Sequence, residues 1–375
     1  MKVAIYGGSF DPIHLEHRKI VTACKEELKV DKVILLPTYL PPHKKKSEVN
    51  YEDRINMVRL AFEDVDYVEI DDYEFRSGAE VNYAYDMLRE LRKSYPNFVY
   101  VIGGDSFLNI ESWYNFEGLL QENEICVVKR GLVNCDYDEK IKEYETKYDA
   151  KISVLNYVGG DCSSTFIRVL SYLHKDIEPY VGPKVAEYIN ENKLYQKYEN
   201  FVKKIKNSVS DRLFTHIVNT TLCGIRINEL CNLKISTTRV FVACMLHDIG
   251  KERKDILYGV PFQTVNTAIF HQFYGERIAH NEYNVNDDEV LDTIRFHTTG
   301  KPNMTTLGKL VFLADKICKG RDYEGVDDIR ETLKTKGFEE AFLQCLNWSY
   351  DYLVQQDKLI FPLTKEAVIY YKENQ

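Results

Sequence analysis

Short apolar runs alternate with helical patterns over the first half of the chain. Val3–Tyr6, Lys32–Leu36, Tyr67–Ile70, Phe98–Ile102 and Glu124–Val128 read as strands from their length and residue types. Between them, residues 14–28, 51–63 and 83–93 read as helices. The strands are nearly continuous apolar runs, as burial on both faces demands. This alternation predicts an α/β domain, a doubly wound parallel sheet covered by helices. From about residue 184 strand-like runs become rare, and helical spacing dominates to the end. An all-α second domain is therefore expected. The join is placed near residue 195, giving domains 1–195 and 196–375.

Composition narrows the function classes. A chain of 375 residues exceeds what one core usually serves, and 44% hydrophobic residues suffice for two. No run approaches the ~18 apolar residues of a membrane span. The opening MKVAIYGGSFDP lacks the layout of a signal peptide, so a cytoplasmic protein with no membrane partner is expected. A net charge of −9 argues against a nucleic-acid partner but leaves room for a small anion in a locally positive pocket. The nine cysteines form no C-x-x-C pair and read as reduced thiols. The apolar C-terminal helices could form a homo-oligomer contact or simply be core.

Two motifs in the first half suit phosphate. Gly7-Gly8-Ser9-Phe10-Asp11-Pro12-Ile13-His14-Leu15-Glu16-His17 follows a strand and leads into a helix. Glycines there let backbone approach a phosphate, and a helix N-terminus adds free N–H donors. His14 and His17 are three apart and share a face, so two imidazoles could grip a polyphosphate. In Ser163-Ser164-Thr165-Phe166-Ile167-Arg168, a serine caps a helix whose N–H groups point at an anion. Arg168, one turn on, supplies a planar fork for phosphate oxygens. Either motif alone could be an ordinary turn or cap; together they favour phosphate binding.

Residues 1 to 195 resemble the nucleotidylyltransferase superfamily, and most of all bacterial nicotinate-nucleotide adenylyltransferases (the NadD family). GGSFDPIHxxH and SSTxIR carry the resemblance. Pro42-His43-Lys44 is similar to the family's P-x-H-K loop, whose Lys faces the phosphates. Tyr83, Asp86 and Leu88 lie in a stretch like SYTxDTL. Gly103-Gly104-Asp105-Ser106 matches a G-x-D-S turn, and Trp113 falls near the expected nicotinate pocket. The resemblance implies attack by nicotinate mononucleotide on the α-phosphorus of ATP, with Mg²⁺ on the phosphates. It implies His14, His17, Lys44 and Arg168 as catalytic groups. Gly7, Gly8, Ser9, Phe10, Tyr83, Gly103, Asp105, Trp113, Ser163, Ser164 and Thr165 would line the substrates. Such an in-line displacement needs positioning and charge neutralisation more than an acid or base. Two departures stand out: Glu16 replaces the Gly of HxGH, and Ala84 replaces the Thr of SYTxDTL, which leaves the nicotinamide mononucleotide as a rival acceptor.

The second half carries a candidate metal site. His247-Asp248 follows the apolar run VFVACML, and neighbours on a helix sit about 100° apart, so both can lean toward one ion. His216, His271, His297 and Asp315 are further candidates. Of five histidines after residue 200, only His280 is left over as a surface residue. Such nitrogens and carboxylates suit Fe, Mn, Co or Zn better than Ca. The order H…HD…D resembles the HD hydrolase superfamily. His297-Thr298-Thr299-Gly300-Lys301-Pro302-Asn303-Met304 and ADKICKGR, ending at Arg321, are similar to the YqeK family of symmetrical diadenosine tetraphosphate hydrolases. By that resemblance His216, His247, Asp248 and Asp315 bind a first metal, and His271 and His297 a second. Iron is the expected ion, with Mn or Co as substitutes. A two-metal site lowers the pKa of water and holds a phosphate for in-line attack. Asp248 and Lys251 are counted as catalytic, and Arg212, Thr298 and Arg321 as substrate contacts. Gln272-Phe273 replaces the family's Gly-Pro, an expected bulkier loop. The chain thus reads as a bifunctional enzyme. Hydrolysis of other nucleotides, or nucleotide sensing without turnover, are the alternatives for its second half.

Overall fold

The apolar runs of the first half are adjacent strands of one sheet. The computed structural model describes residues 1–39, 47–78, 82–129, 137–157, 159–160, 162–253 and 267–374. Among these, six parallel strands occur: β1 (Val3–Gly8), β2 (Lys32–Pro37), β3 (Val68–Ile70), β4 (Phe98–Gly103), β5 (Glu124–Val128) and β6 (Lys151–Val154). Their order is β3-β2-β1-β4-β5-β6. Helices α1 (Leu15–Glu27), α2 (Tyr51–Phe62), α3 (Tyr73–Arg76), α4 (Ala84–Ser94), α5 (Gly104–Leu108), α6 (Phe116–Glu122), α7 (Tyr137–Tyr148), α8 (Ser164–Tyr172), α9 (Glu178–Val181) and α10 (Pro183–Glu191) complete this unit. Ala4, Ile5, Val33, Ile34, Val101 and Val127 are fully buried, each burial stabilising by about 1.5–3 kcal/mol for a large side chain.

Chain order reverses between β1 and β4. Tyr6 of β1 registers with Leu35 of β2 on one side and Val101 of β4 on the other. Ligands of such sheets bind past the carboxyl ends of strands at this reversal. Both Gly-Gly turns, Gly7-Gly8 and Gly103-Gly104, lie there. β6 had no counterpart in the sequence pattern: as an edge strand it is only half-buried, and KISV is neither a continuous apolar run nor long.

The chain divides into compact units Met1–Lys197 and Tyr198–Gln375. The second is all helical among its described residues: α11 (Glu199–Lys206), α12 (Asp211–Leu230), α13 (Thr237–Leu246), α14 (Thr267–Tyr283), α15 (Asp288–Phe296), α16 (Thr306–Ile317), α17 (Val326–Thr335), α18 (Phe338–Gln355) and α19 (Pro362–Glu373). Starts are capped by side chains: Ser210 accepts from Leu213 N, Asp287 from Glu289 N and Val290 N, and Thr305 from Gly308 N. α16 buries Leu307, Gly308 and Leu310 through Asp315, as a central helix does. At Gly224 of α12, a Cβ would lie 2.8 Å from Cys244 Sγ, so only glycine permits that approach to α13. Among the described residues no helix is long and apolar enough to cross a membrane.

Candidate functional site

The first site forms where β1 and β4 end. At Gly8 a Cβ would meet the Phe10 ring at 2.9 Å, so the glycine lets Phe10 fold back. The Phe10 side chain is 1% exposed and packs edge-on against Tyr6 and His17. It therefore supports the site from beneath, and only its backbone can face a ligand. His14 is the N-cap of α1 rather than part of the helix, yet its ring stacks on His17 at 3.7 Å. His17 Nδ1 accepts the His14 backbone N–H at 3.1 Å. That bond makes Nε2 the protonated nitrogen of a neutral His17, a donor suited to a phosphate oxygen.

The second motif is joined directly to the first. Ser163 caps α8, accepting from Phe166 N at 3.0 Å. Ser164 Oγ donates to Pro12 O at 2.8 Å. Arg168 Nη1 donates to Asp11 O at 2.5 Å, and Nη2 to Thr165 Oγ1 at 3.1 Å. The Ser163, Ser164 and Thr165 hydroxyls thus work inside the protein, and with the Phe166 amide held by Ser163, the Ser164 and Thr165 amides are the candidate anion donors of α8. Arg168 spends part of its fork on the joint and sits 3.8 Å from Asp11 Oδ2. Sequence reasoning missed Arg54, which is 2% exposed and donates from Nη1 to Ser9 O and Thr38 O.

Beside β4, Gly103 has open space where a Cβ would stand, whereas at Gly104 a Cβ would lie 2.3 Å from Tyr137 Oη. Gly104 is thus the glycine that packing demands, and Gly103 leaves backbone open to a ligand. Asp105 is exposed in the first turn of α5. The Tyr83 ring meets Tyr114 at 4.7 Å, next to Trp113, which is half-buried against the core. Lys44, with Pro42 and His43, lies outside the described residues.

In the second unit five elements converge. α12 supplies His216, the end of α13 supplies His247 and Asp248, α14 supplies His271, the end of α15 supplies His297, and α16 supplies Asp315. Their ligand atoms form two groups: His216, His247, Asp248 and Asp315, then Asp248, His271 and His297. His216 Nε2 is 2.9 Å from Asp315 Oδ1 and 3.3 Å from Asp248 Oδ2. His271 and His297 face each other, Nε2 to Nε2, at 3.2 Å. His247 Nδ1 lies 2.6 Å from Cys244 O, and His297 Nδ1 2.8 Å from Ile294 O. A carbonyl only accepts, so each Nδ1 carries a proton and each Nε2 is the atom offered inward. Asp248 Oδ1, 3.3 Å from both His271 and His297, makes no hydrogen bond although fully buried. An orphaned buried carboxylate oxygen among imidazole nitrogens fits a divalent metal.

Charge at this centre is held by proximity. Burial opposes the charge on His216, but Asp248 and Asp315 raise it to about 10. His247 is likewise opposed by burial and raised to about 9 by the same carboxylates. Burial lowers His297 to about 4, so it is neutral. Asp248 and Asp315 resist burial and stay well below the usual carboxylate range beside these histidines. Lys251 Nζ pairs with Asp248 Oδ2 at 2.6 Å, and Arg321 pairs with Asp315. Thr298 Oγ1 lies 3.0 Å from the Nε2 atoms of both His271 and His297. A cleft of about 500 Å³ opens beside His216 and is lined by Arg212, Lys251, Lys319 and Arg321. Glu252 also lines the cleft, bonded to Ser210 N and Oγ, so the lining holds four cationic side chains and one carboxylate beside His216.

Residues 5–170 match the cytidylyltransferase-like family, and residues 213–320 match the HD domain. A Caldicellulosiruptor saccharolyticus protein named "Probable nicotinate-nucleotide adenylyltransferase" is 36% identical over 197 residues, which are 52% of this chain and 100% of that protein. The chain belongs to the nicotinate-nucleotide adenylyltransferase family, with an HD domain fused to it. A Mycoplasma genitalium protein named "Probable nicotinate-nucleotide adenylyltransferase/Ap4A hydrolase" is 25% identical over 92% of this chain and 97% of its own length. The structure of an HD superfamily hydrolase from Clostridium acetobutylicum overlaps 48% of this chain and 98% of its own, at 22% identity and a TM-score of 0.42.

Three further residues shape the HD domain site. Gln272 is fully buried; its Oε1 accepts from Thr298 N and Thr299 N at 3.3 Å, and its Nε2 donates to Thr299 Oγ1. The expected bulky loop is instead a staple between the turns carrying His271 and His297. His216 Nδ1 faces the Cys318 thiol at 3.9 Å, where His247 and His297 face carbonyls. Lys319 follows directly. No spacing rule marks such residues, because their partners are distant in sequence.

Proposed function

We propose that the adenylyltransferase domain transfers the adenylyl group of ATP to nicotinate mononucleotide. The 5′-phosphate oxygen attacks the α-phosphorus and pyrophosphate leaves, giving nicotinate adenine dinucleotide on the route to NAD; Mg²⁺ enters with ATP. Family membership carries this reading, and the two phosphate motifs at one sheet edge support it. His17 Nε2–H and the α8 N-terminal amides supply donors for phosphate charge, and His14, Lys44 and Arg168 are the remaining candidates. Competing nicotinate and nicotinamide mononucleotides against each other tests the acceptor. Preferred turnover of the acid is expected, and preference for the amide overturns the assignment.

The HD domain is proposed to hydrolyse diadenosine tetraphosphate to two ADP. The convergence of six candidate metal-ligand side chains beside a cleft where Arg212, Lys251, Lys319 and Arg321 outnumber Glu252 is the observation that favours a polyphosphate substrate. The Mycoplasma genitalium relative's name points the same way. His216, His247, Asp248 and Asp315 would hold one ion, and His271 and His297, with Asp248, a second. Such an ion supplies charge neutralisation and an activated water for attack on phosphorus. Arg212, Lys319 and Arg321 would bind phosphate oxygens, while Lys251 holds Asp248 in place. The test is full-length protein loaded with iron or manganese under reducing conditions, incubated with diadenosine tetraphosphate beside a His247→Ala control. ADP that disappears in the control is expected. No ADP from folded, metal-loaded protein would demote the domain to a nucleotide sensor or another phosphohydrolase.

A further inference from the structure

Glu16 stands between His14 and His17, where a carboxylate would repel a polyphosphate. The structure turns it away. Its side chain is 10% exposed and pairs with Lys19 Nζ at 2.7 Å. It accepts from the Tyr157 hydroxyl and, at 2.5 Å, from Gly160 N. Lys19 is an i,i+3 neighbour, but Tyr157 and Gly160 lie about 140 residues away in the segment that runs from β6 to Ser163, the cap of α8. The same segment meets α1 again through Asn156 N and Glu27 Oε2 at 2.9 Å. Gly160 is shaped for this contact: a Cβ there would stand 2.6–2.8 Å from the Glu16 carboxylate oxygens. A long side chain can usually yield, but this one is held by three donors and would lose them by moving. Burial works against the charge on Glu16, yet Lys19, Tyr157 and the Gly160 amide hold its carboxyl below the ordinary value.

We propose that Glu16 is a positioning residue of the adenylyltransferase site, a latch that holds Tyr157 and Gly160 on α1 and so sets the α8 N-terminus against His14 and His17. It touches no substrate. Its effect falls on ATP, whose phosphates would bridge the two motifs. The inference rests on the proposed adenylyl transfer, and the experiment separates the two.

The full-length variants E16A, E16Q, G160A and E16A/G160A are compared for ATP KM, kcat and hydrogen exchange at the Gly160 amide. Glutamine keeps an oxygen for Tyr157 and Gly160 and loses only the ion pair to the largely exposed Lys19. E16A is therefore expected to raise ATP KM about tenfold with kcat within about twofold, and E16Q to stay near the parent. G160A should match E16A, and the double variant should be no worse than either, because the three atoms nearest the new methyl all belong to the Glu16 carboxylate. Gly160 exchange should accelerate in E16A but not in E16Q. A lower melting temperature with unchanged ATP KM overturns the proposal, as does a G160A effect of equal size in both backgrounds. If the parent forms no dinucleotide from nicotinate mononucleotide, the transfer reading fails by itself. Gly160 exchange and calorimetric ATP binding then still decide the latch.

Discussion

Single side chains show how environment sets chemistry here. In the HD domain His216 and His247 are raised to about 10 and 9, so both are charged at neutral pH when metal-free. Ligation needs their lone pairs, so metal uptake must expel both protons. Affinity should fall as pH falls, by up to about a hundredfold per unit below pH 9, and calorimetry in two buffers should detect about two protons released. His297, lowered to about 4, contributes none. In the adenylyltransferase domain the Glu74 carboxyl is pushed up to about 7 by burial, although it accepts from Tyr39 N at 2.8 Å. The folded state thus keeps a proton that the unfolded state releases above pH 4.5. The contribution of Glu74 to stability is therefore fullest below pH 4.5 and is lost as pH rises through about 7. Glu74→Gln keeps the acceptor and removes the titration. It should match the parent near pH 4.5 and exceed it by about 3 kcal/mol at pH 8 in denaturant melts. Residue types, with the resemblance to the HD order, pointed to the candidate metal ligands, which the fold brings into one cluster. Glu74 was invisible, since its shift arises from neighbours brought by other elements.

At the scale of elements, the metal centre depends on how closely α14 approaches the end of α13. At Gly250 a Cβ would lie 2.3 Å from His271 O and 2.7 Å from Gly275 N. These are backbone atoms and cannot yield as a side-chain tip does. Gly250→Ala should cost about 3 kcal/mol in urea unfolding of the HD domain, and weaken metal binding by displacing His271. A melt and metal titration indistinguishable from the parent would show that the helices part easily. Helices and strands with strong patterns were legible: residues 51–63 became Tyr51–Phe62, and Glu124–Val128 appeared as read. Edge strand β6 and the short helices α3, α5 and α6 were not, because weak patterns are decided by what packs over them. The histidine motif was legible as chemistry, but its geometry was not: His14 caps α1 from outside, and stacking, rather than helix spacing, brings it to His17.

Each of the two units has its own core, so each should melt as its own cooperative body. A chelator should lower one transition, that of residues 198–375, and leave the other in place, since metal binding stabilises only the state that holds the ion. One transition shifting as a whole would reveal coupling between the units. The sequence by itself determined the class of each half and pointed to the two candidate phosphate motifs and the candidate metal-ligand types, because these depend on local periodicity and on side-chain chemistry carried wherever the chain goes. Tertiary structure alone decided which hydroxyls face inward at Ser163–Thr165, what Glu16 pairs with, and that Gln272 joins the turns carrying His271 and His297. It also decided that Lys319 looks into the cleft. Those properties belong to contacts between segments tens to more than a hundred residues apart, and a one-dimensional pattern contains no distance across such gaps.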